Sequence, residues 1–145
     1  MIIFDLDNFK LVNDNFGHQY GDRILIETAD MMRDTFRKDD ILGHIGGDEF
    51  AVFLCGGVSR EIVEQRLTTL KIRRKKEFNA KNGEVFTLSF SAGYTFAPEG
   101  KTSYEALVEQ ADIALYQQKA KGKNGFSAYR AYSVEHVLYG NAYHI

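Results

Sequence analysis

Three residue types are almost absent from this sequence. Its 145 residues include no tryptophan, one proline and one cysteine. A single cysteine excludes an internal disulfide, and Cys55, at the end of an apolar run, is predicted to be a small buried side chain. The sequence contains no low-complexity stretch or linker pattern, so residues 1–145 are expected to form one domain.

The sequence also lacks an excess of basic residues and a long apolar run. Its 18 Lys and Arg residues are balanced by 20 Asp and Glu residues, for a net charge of −2. This balance excludes the general basic field that is typical of nucleic-acid-binding proteins. No apolar run is long enough to span a membrane, and the first residues lack the basic start of a signal peptide. We therefore expect a cytoplasmic domain that contacts neither nucleic acid nor membrane, although a longer parent protein can still be membrane-anchored.

Two adjacent glycines, Gly46 and Gly47, stand between two apolar runs that favour β-structure. Glycine adopts the positive φ of tight hairpin turns, so the pattern predicts a hairpin with Asp48 and Glu49 at its exit. Acids and glycines at the edge of a sheet suit a phosphate-bound Mg²⁺ ion. A surface hairpin with solvated acids is the alternative, and it is the better one for this motif taken alone.

A second pair of acids ends the first apolar run, over residues 1–6. Asp5 and Asp7 share one face of the predicted strand, and Leu6 points to the other face. Acids at the end of a core strand must be hydrated, paired or bound to a metal ion, and the strand alone does not decide between these. Lys10 follows closely enough to meet an anionic ligand held at this position.

The order of predicted elements is strand, helix, helix, hairpin, helix, strand, helix, strand. This order predicts an α+β fold with a mostly antiparallel sheet of about five strands and helices packed on it. Residues 85–96 alternate between apolar and polar and are predicted to form a long strand with one face on the core. The chain opens directly in a strand, so we expect an N-terminal lead-in segment to be missing, and residues 130–145 have no assignable pattern.

Taken together, these motifs resemble the GGDEF family of diguanylate cyclases. The resemblance covers residues 5–14, 17–22, the Gly-Gly-Asp-Glu-Phe run at 46–50, residues 89–93, and residues 111–124. It implies a palm fold like that of nucleotidyl cyclases and the condensation of two GTP molecules into cyclic di-GMP, with release of pyrophosphate. It also implies that two copies of the domain face each other as a homodimer. A sensory or regulatory domain is expected in the parent chain.

The resemblance assigns roles to individual residues. Asp5, Asp48 and the carbonyl of Leu6 would bind Mg²⁺, with Mn²⁺ as a substitute. Asp48 would also act as the general base, Glu49 would support the metal site, and Lys10 would stabilise charge on the reacting phosphate. The substrate-binding residues would be Asn13, His18 and Asp22 around guanine and ribose, and Lys119, Lys123, Gly46 and Gly47 around the phosphates.

A further motif, residues 37–40, fits the family's RxxD inhibitory site. Arg37 and Asp40 would bind the cyclic di-GMP product, with Arg66 as a partner arginine; a plain charged turn is the alternative.

Two positions depart from the family's pattern: His44 and Lys123 both stand where arginine is usual. The departure at His44 favours a second hypothesis, a non-catalytic module that binds GTP or cyclic di-GMP and regulates a partner. A third is a related palm that acts on a different nucleotide.

Overall fold

The computed structural model describes residues 1–97 and 101–130. The segment 130–145, for which the sequence predicts no structure, therefore lies almost wholly outside the described residues. The described residues form six strands and four helices. In chain order they are β1 (Ile2–Asp7), α1 (Phe9–Phe16), α2 (His18–Thr35), β2 (Ile41–Gly46), β3 (Glu49–Phe53), α3 (Arg60–Arg74), β4 (Lys76–Asn79), β5 (Val85–Tyr94), α4 (Tyr104–Ala120) and β6 (Gly125–Ala128).

The strands form one sheet in the order β2-β3-β1-β5-β4, with β6 added to β5. All pairs are antiparallel except β5–β6, which is parallel. The α+β class and the mostly antiparallel sheet are therefore confirmed. Strand β4 is not predicted, because it is four residues long and only Phe78 is buried among exposed polar side chains.

The two faces of β1 contact different parts of the core. Ile2, Phe4 and Leu6 belong to the main apolar cluster beneath α2 and α3, whereas Met1 and Ile3 pack with residues of α4. Helices cover both faces at this strand, so the central strands carry buried side chains in both directions.

The same coverage corrects the prediction for residues 85–96. Strand β5 ends at Tyr94, and every residue from 88 to 94 is buried. The face predicted to be solvated is covered, and its serines, Ser89 and Ser91, are buried beside Asp7.

Helix α4 lies unusually close to β5 at Gly93. A Cβ atom there would lie 2.1 Å from the amide nitrogen of Leu115 and 2.2 Å from the carbonyl oxygen of Ala111. Glycine permits this approach of helix to strand. Because α4 carries Lys119 near its end, the approach fixes where that lysine lies relative to the strand tips.

The predicted hairpin is present between β2 and β3. Gly46 and Gly47 both have positive φ values, of 149° and 53°. His44 contributes to the turn: its Nε2 atom lies 2.6 Å from the carbonyl oxygen of Gly47, and its ring stacks on Phe50 with centroids 4.7 Å apart.

Candidate active site

The tips of β1 and β3 bring the predicted acidic residues together. Asp5 is paired in register with Glu49, and the amide of Leu6 donates a 3.2 Å hydrogen bond to the carbonyl oxygen of Asp48. The tight turn returns the chain to β1 immediately after Gly47, which is why Asp48 lies beside the end of β1. Asp48 and Glu49 are both half-buried.

A lysine from the far end of the chain completes this cluster. The Lys119 ammonium on α4 donates to Asp5 Oδ2 and forms an ion pair with it. The Asp5 side chain is 15% exposed and that of Lys119 is 39% exposed, so the pair is partly screened from water. The cluster therefore contains a cation supplied by the protein itself.

Burial and mutual repulsion perturb the acids of the cluster. Burial raises the pKa of Asp5, and the hydrogen bond from Lys119 partly opposes this shift. The pKa of Glu49 is raised by burial, by the charge of Asp112 and by that of Asp5. Burial acts to lower the pKa of Lys119, but the hydrogen bond and charge of Asp5, with the neighbouring acids, raise it overall. The cluster favours the binding of positive charge.

Asp112 is a member of this cluster that is not among the predicted site residues. Burial raises its pKa, and the charge of Lys119 opposes the shift. Asp112 and Lys119 are seven residues apart on α4, which places them on one face of the helix, two turns apart. The seven-residue spacing from Lys119 is the sequence signal that could have identified Asp112.

The oxygen atoms at the strand tips suit a Mg²⁺ ion. Among the described residues, no group of three or more His, Cys, Asp or Glu side chains is arranged to hold a metal by itself. Mg²⁺ is commonly held by one or two carboxylates together with water and substrate phosphates, so Asp5 and Asp48 with a backbone carbonyl match its needs. The Lys119 ammonium shows that the Asp5 carboxylate already receives a cation here.

A second group of predicted residues lies where α1 meets α2. A Cβ atom on Gly21 would lie 1.9 Å from Asn13 Oδ1, so the missing side chain of Gly21 makes room for the Asn13 amide. Asn13 Oδ1 is buried and has no hydrogen-bond partner among the described residues. His18 and Asp22 are exposed in the first turns of α2, and Lys10 is exposed in the first turn of α1. This corner thus presents an exposed carboxylate and an exposed imidazole, and an unsatisfied amide oxygen is buried beside Gly21.

The other residues predicted to contact phosphate, Lys123, Gly46 and Gly47, are exposed. Lys123 is exposed after the end of α4 and has a φ of 64°. A Cβ atom on Gly46 or Gly47 would meet nothing within 4 Å. The requirement for glycine there comes from backbone conformation rather than from crowding.

The predicted inhibitory residues are arranged around a buried carboxylate. Asp40 has a side chain that is 2% exposed and accepts hydrogen bonds from the amide of Arg37 (2.8 Å), Arg66 Nη1 (3.2 Å) and the amide of Cys55 (3.2 Å). The structure thus brings Asp40 and Arg66 together, while Arg37 joins them through its backbone. Asp40 closes the turn before β2 instead of facing solvent.

Cys55 differs from its prediction. It is exposed rather than buried. It lines an apolar cleft of 470 Å³ together with Met1, Val63, Tyr94 and Leu107. This cleft is at the opposite end of β1 from Asp5, and none of the described residues that line it is a predicted site residue.

Comparisons with known proteins place these features in one family. Residues 1–125 match the family described as diguanylate cyclase, GGDEF domain, and the chain belongs to that family. It is 36% identical over 134 residues to the diguanylate cyclase DosC of Escherichia coli K12, a match that covers 90% of this chain and 28% of DosC. The chain thus spans less than a third of that curated relative.

Solved structures agree with the fold. The GGDEF domain of PA1120 (YfiN or TpbB) from Pseudomonas aeruginosa superposes with a TM-score of 0.78 at 27% identity, covering 90% of this chain and 81% of that one. The GGDEF domain of DgcB from Caulobacter crescentus, solved in complex with c-di-GMP, superposes with a TM-score of 0.77 at 25% identity, covering 90% and 77% of the two chains. The resemblance seen in the sequence and the palm fold are confirmed.

No helix in the described part of the chain combines the length and the apolar character of a membrane-spanning segment.

Proposed function

We propose that this chain is the catalytic domain of a diguanylate cyclase, which condenses two GTP molecules into cyclic di-GMP and two pyrophosphates. The observation that carries the proposal is the convergence of Asp5 and Asp48 at adjacent strand tips, with Lys119 beside them. Membership of the GGDEF family and the likeness to DosC support cyclic di-GMP synthesis as the general activity.

The reaction requires two copies of the domain. In each half-reaction a 3′-hydroxyl of one GTP attacks the α-phosphorus of the other, and pyrophosphate leaves. One chain offers a single Asp5–Asp48 cluster, so we propose that a homodimer brings together two clusters, each with one GTP. Proximity of the two bound nucleotides then replaces an unfavourable encounter in solution.

Asp5, Asp48 and the carbonyl of Leu6 would hold Mg²⁺, or Mn²⁺ in its place. The bound ion would supply Lewis acidity and neutralise charge on the phosphates. Asp48 accepts the proton of the 3′-hydroxyl, and Glu49 supports the metal site. Lys119 exchanges its contact with Asp5 for the phosphates.

The remaining cations act on the triphosphate. Lys10 neutralises charge on the reacting phosphate, and Lys123 contacts the phosphates farther from the sugar. Both side chains are exposed in the structure and are free of the ion pairs found at Asp5 and Asp40. Lysine at position 123 keeps a positive charge but has no planar fork for bidentate contact with phosphate.

Guanine recognition is assigned to the α1–α2 corner. Guanine offers two N–H donors on one edge, which Asp22 accepts, and an acceptor that the amide group of Asn13 meets. His18 lies beside the ribose. A site built on such contacts rejects a nucleotide that lacks the matching donors, because its buried polar groups remain unpaired.

Product inhibition is proposed for the turn that contains Arg37. Its guanidinium is exposed and suits a guanine edge or a phosphate, and the DgcB domain was solved with c-di-GMP. Asp40 and Arg66 already contact each other, so they support the turn and can meet the product after Arg66 shifts.

One observation favours a second candidate, a module that binds GTP or cyclic di-GMP without turnover. His44 stands where the family usually has arginine, and its ring is turned towards Gly47 and Phe50 of its own hairpin. If an arginine at this position is required for phosphate binding, this chain binds nucleotide but releases no pyrophosphate.

The test is the Asp48→Ala variant, measured by pyrophosphate release from GTP in Mg²⁺ buffer. We expect turnover to be abolished with circular dichroism and unfolding midpoint unchanged. Glu77→Ala removes an exposed acid on β4, at the far side of the sheet order, and is the matched control that keeps full activity. Unchanged turnover in Asp48→Ala would refute the assignment of the metal site and the general base.

A further inference from the structure

Asp7 is a buried acid that the proposed reaction does not use. It is 4% exposed although it shares a strand face with Asp5. Its Oδ2 atom accepts hydrogen bonds from Ser89 Oγ at 2.8 Å and from the amide of Asn124 at 3.0 Å, and its Oδ1 atom accepts one from Ser91 Oγ at 2.8 Å. Both oxygens have fixed donors, so Asp7 is engaged within the protein and Asp5 alone of this pair faces the strand tips.

The hydrogen bond from the Asn124 amide to Asp7 holds a loop whose backbone conformation is unfavourable. Three consecutive residues, Gly122, Lys123 and Asn124, have φ values of 119°, 64° and 43°. Side chains rarely adopt this left-handed region, and such a conformation persists only where its surroundings impose it. Residues of this kind are concentrated at functional sites.

A second clamp holds the same loop from α4. Gln118 Nε2 donates to the carbonyl oxygen of Lys123 at 3.1 Å, and the Lys123 amide donates to the carbonyl oxygen of Gln118 at 3.2 Å. Ser127 Oγ in turn donates to Gln118 Oε1 at 2.8 Å. The backbone of Lys123 is therefore held from both sides, while its ammonium remains exposed.

We propose that Asp7 is a positioning residue for nucleotide binding: its carboxylate, held by Ser89 and Ser91, imposes the left-handed loop that presents Lys123 to the phosphates of GTP. This inference rests on the proposed function of the site. Asp7 acts through the Asn124 amide and contacts no substrate itself. A purely structural role, in which Asp7 only satisfies buried serines, is the competing explanation.

The two explanations differ in a double-mutant cycle between Asp7→Asn and Lys123→Ala. The readout is equilibrium binding of α,β-methylene GTP, which cannot release pyrophosphate, and of GMP, which lacks the outer phosphates. Asp7→Asn should weaken binding of the triphosphate by about tenfold, as is usual for residues that orient a ligand contact. GMP binding should stay within about twofold, because the guanine corner is unchanged.

Coupling between the two positions decides the question. In the Lys123→Ala background, Asp7→Asn should change triphosphate affinity by less than about twofold, since the group that it positions is gone. If the double variant loses triphosphate affinity by the product of the two single losses, the substitutions act independently and the inference is overturned in favour of a structural role. A loss of GMP binding equal to the loss of triphosphate binding would overturn it in the same way. Asp30→Asn, on the exposed face of α2, is the matched control and should bind both nucleotides normally.

Two further outcomes remain decisive. If Asp7→Asn does not fold, Ser89→Ala takes its place in the cycle. This variant removes one donor to Asp7 Oδ2, the oxygen that also accepts from the Asn124 amide, and should weaken triphosphate binding by a smaller factor. If wild-type protein binds neither nucleotide, the proposed function fails and the inference falls with it. That result is distinct from normal wild-type binding with independent effects of the two substitutions, which refutes the inference alone.

Discussion

Gly93→Ala tests how the fold positions the candidate site. The added Cβ would lie 2.1 Å and 2.2 Å from two backbone atoms of α4, whereas ordinary contact begins near 3.4 Å. Because neither atom belongs to a flexible side chain, the helix as a whole must move away by about 1 Å. Overpacking of this kind costs about 1–3 kcal/mol, and contact with helix backbone places Gly93→Ala at about 3 kcal/mol.

The same movement should affect activity, because α4 carries Lys119 and Asp112. A displacement of about 1 Å at a reacting group lowers rates by about a hundredfold. Urea denaturation measures the stability change from the midpoint and slope, and pyrophosphate release measures the activity.

Gly43→Ala is the matched control for this substitution. A Cβ atom on Gly43 would lie 4.0 Å from the carbonyl oxygen of Ala51, which is no closer than ordinary contact, so this variant should match or slightly exceed wild-type stability. If the two variants are equally stable and equally active, the close approach of α4 to β5 does not fix the position of Lys119, and the reasoning fails.

Two further predictions concern the inhibitory turn and the alkaline limit of stability. Arg37→Ala should weaken inhibition by added cyclic di-GMP without lowering the initial rate, whereas Lys38→Ala, an exposed neighbour, should retain it; unaltered inhibition in Arg37→Ala would remove the product-site proposal. Burial, followed by the 2.5 Å hydrogen bond to Glu64, raises the pKa of Tyr94 from 10.0 to about 12. A raised pKa means that the folded state retains a proton that the unfolded state loses, so this contribution is complete below pH 10 and declines as the pH rises towards 12. Wild-type protein should therefore lose stability relative to Tyr94→Phe over that range, and parallel pH profiles of the two proteins would contradict the assignment.

Local patterns were sufficient to predict the hairpin and its acids. Gly46 and Gly47 supply a conformation that few other residues adopt, and the acids follow immediately, so short-range information places Asp48 at a strand tip. Asp5 is predicted equally well, because it ends an apolar run that forms a central strand. The family resemblance adds the order of the remaining motifs.

Contacts between distant segments could not be predicted in this way. Lys119 and Asp5 are 114 residues apart, and their ion pair depends on the packing of α4 against Gly93. In the sequence, Ser89 and Ser91 have the pattern of the solvated face of an alternating strand. Their burial is explained only by the packing of Asp7 and the Asn124 loop against them. An alternating pattern shows only which side chains are polar. Here the polar serine hydroxyls are buried, because the Asp7 carboxylate accepts their hydrogen bonds.

The central claim, that this chain makes cyclic di-GMP, is tested most directly by identifying the product. Concentrated protein is incubated with GTP and Mg²⁺, because two domains must meet, and the mixture is analysed by chromatography and mass spectrometry. The account predicts cyclic di-GMP with two pyrophosphates for each product molecule, and no cyclic product from ATP. Saturable GTP binding without any cyclic di-GMP would contradict it and would identify the chain as a nucleotide-binding module.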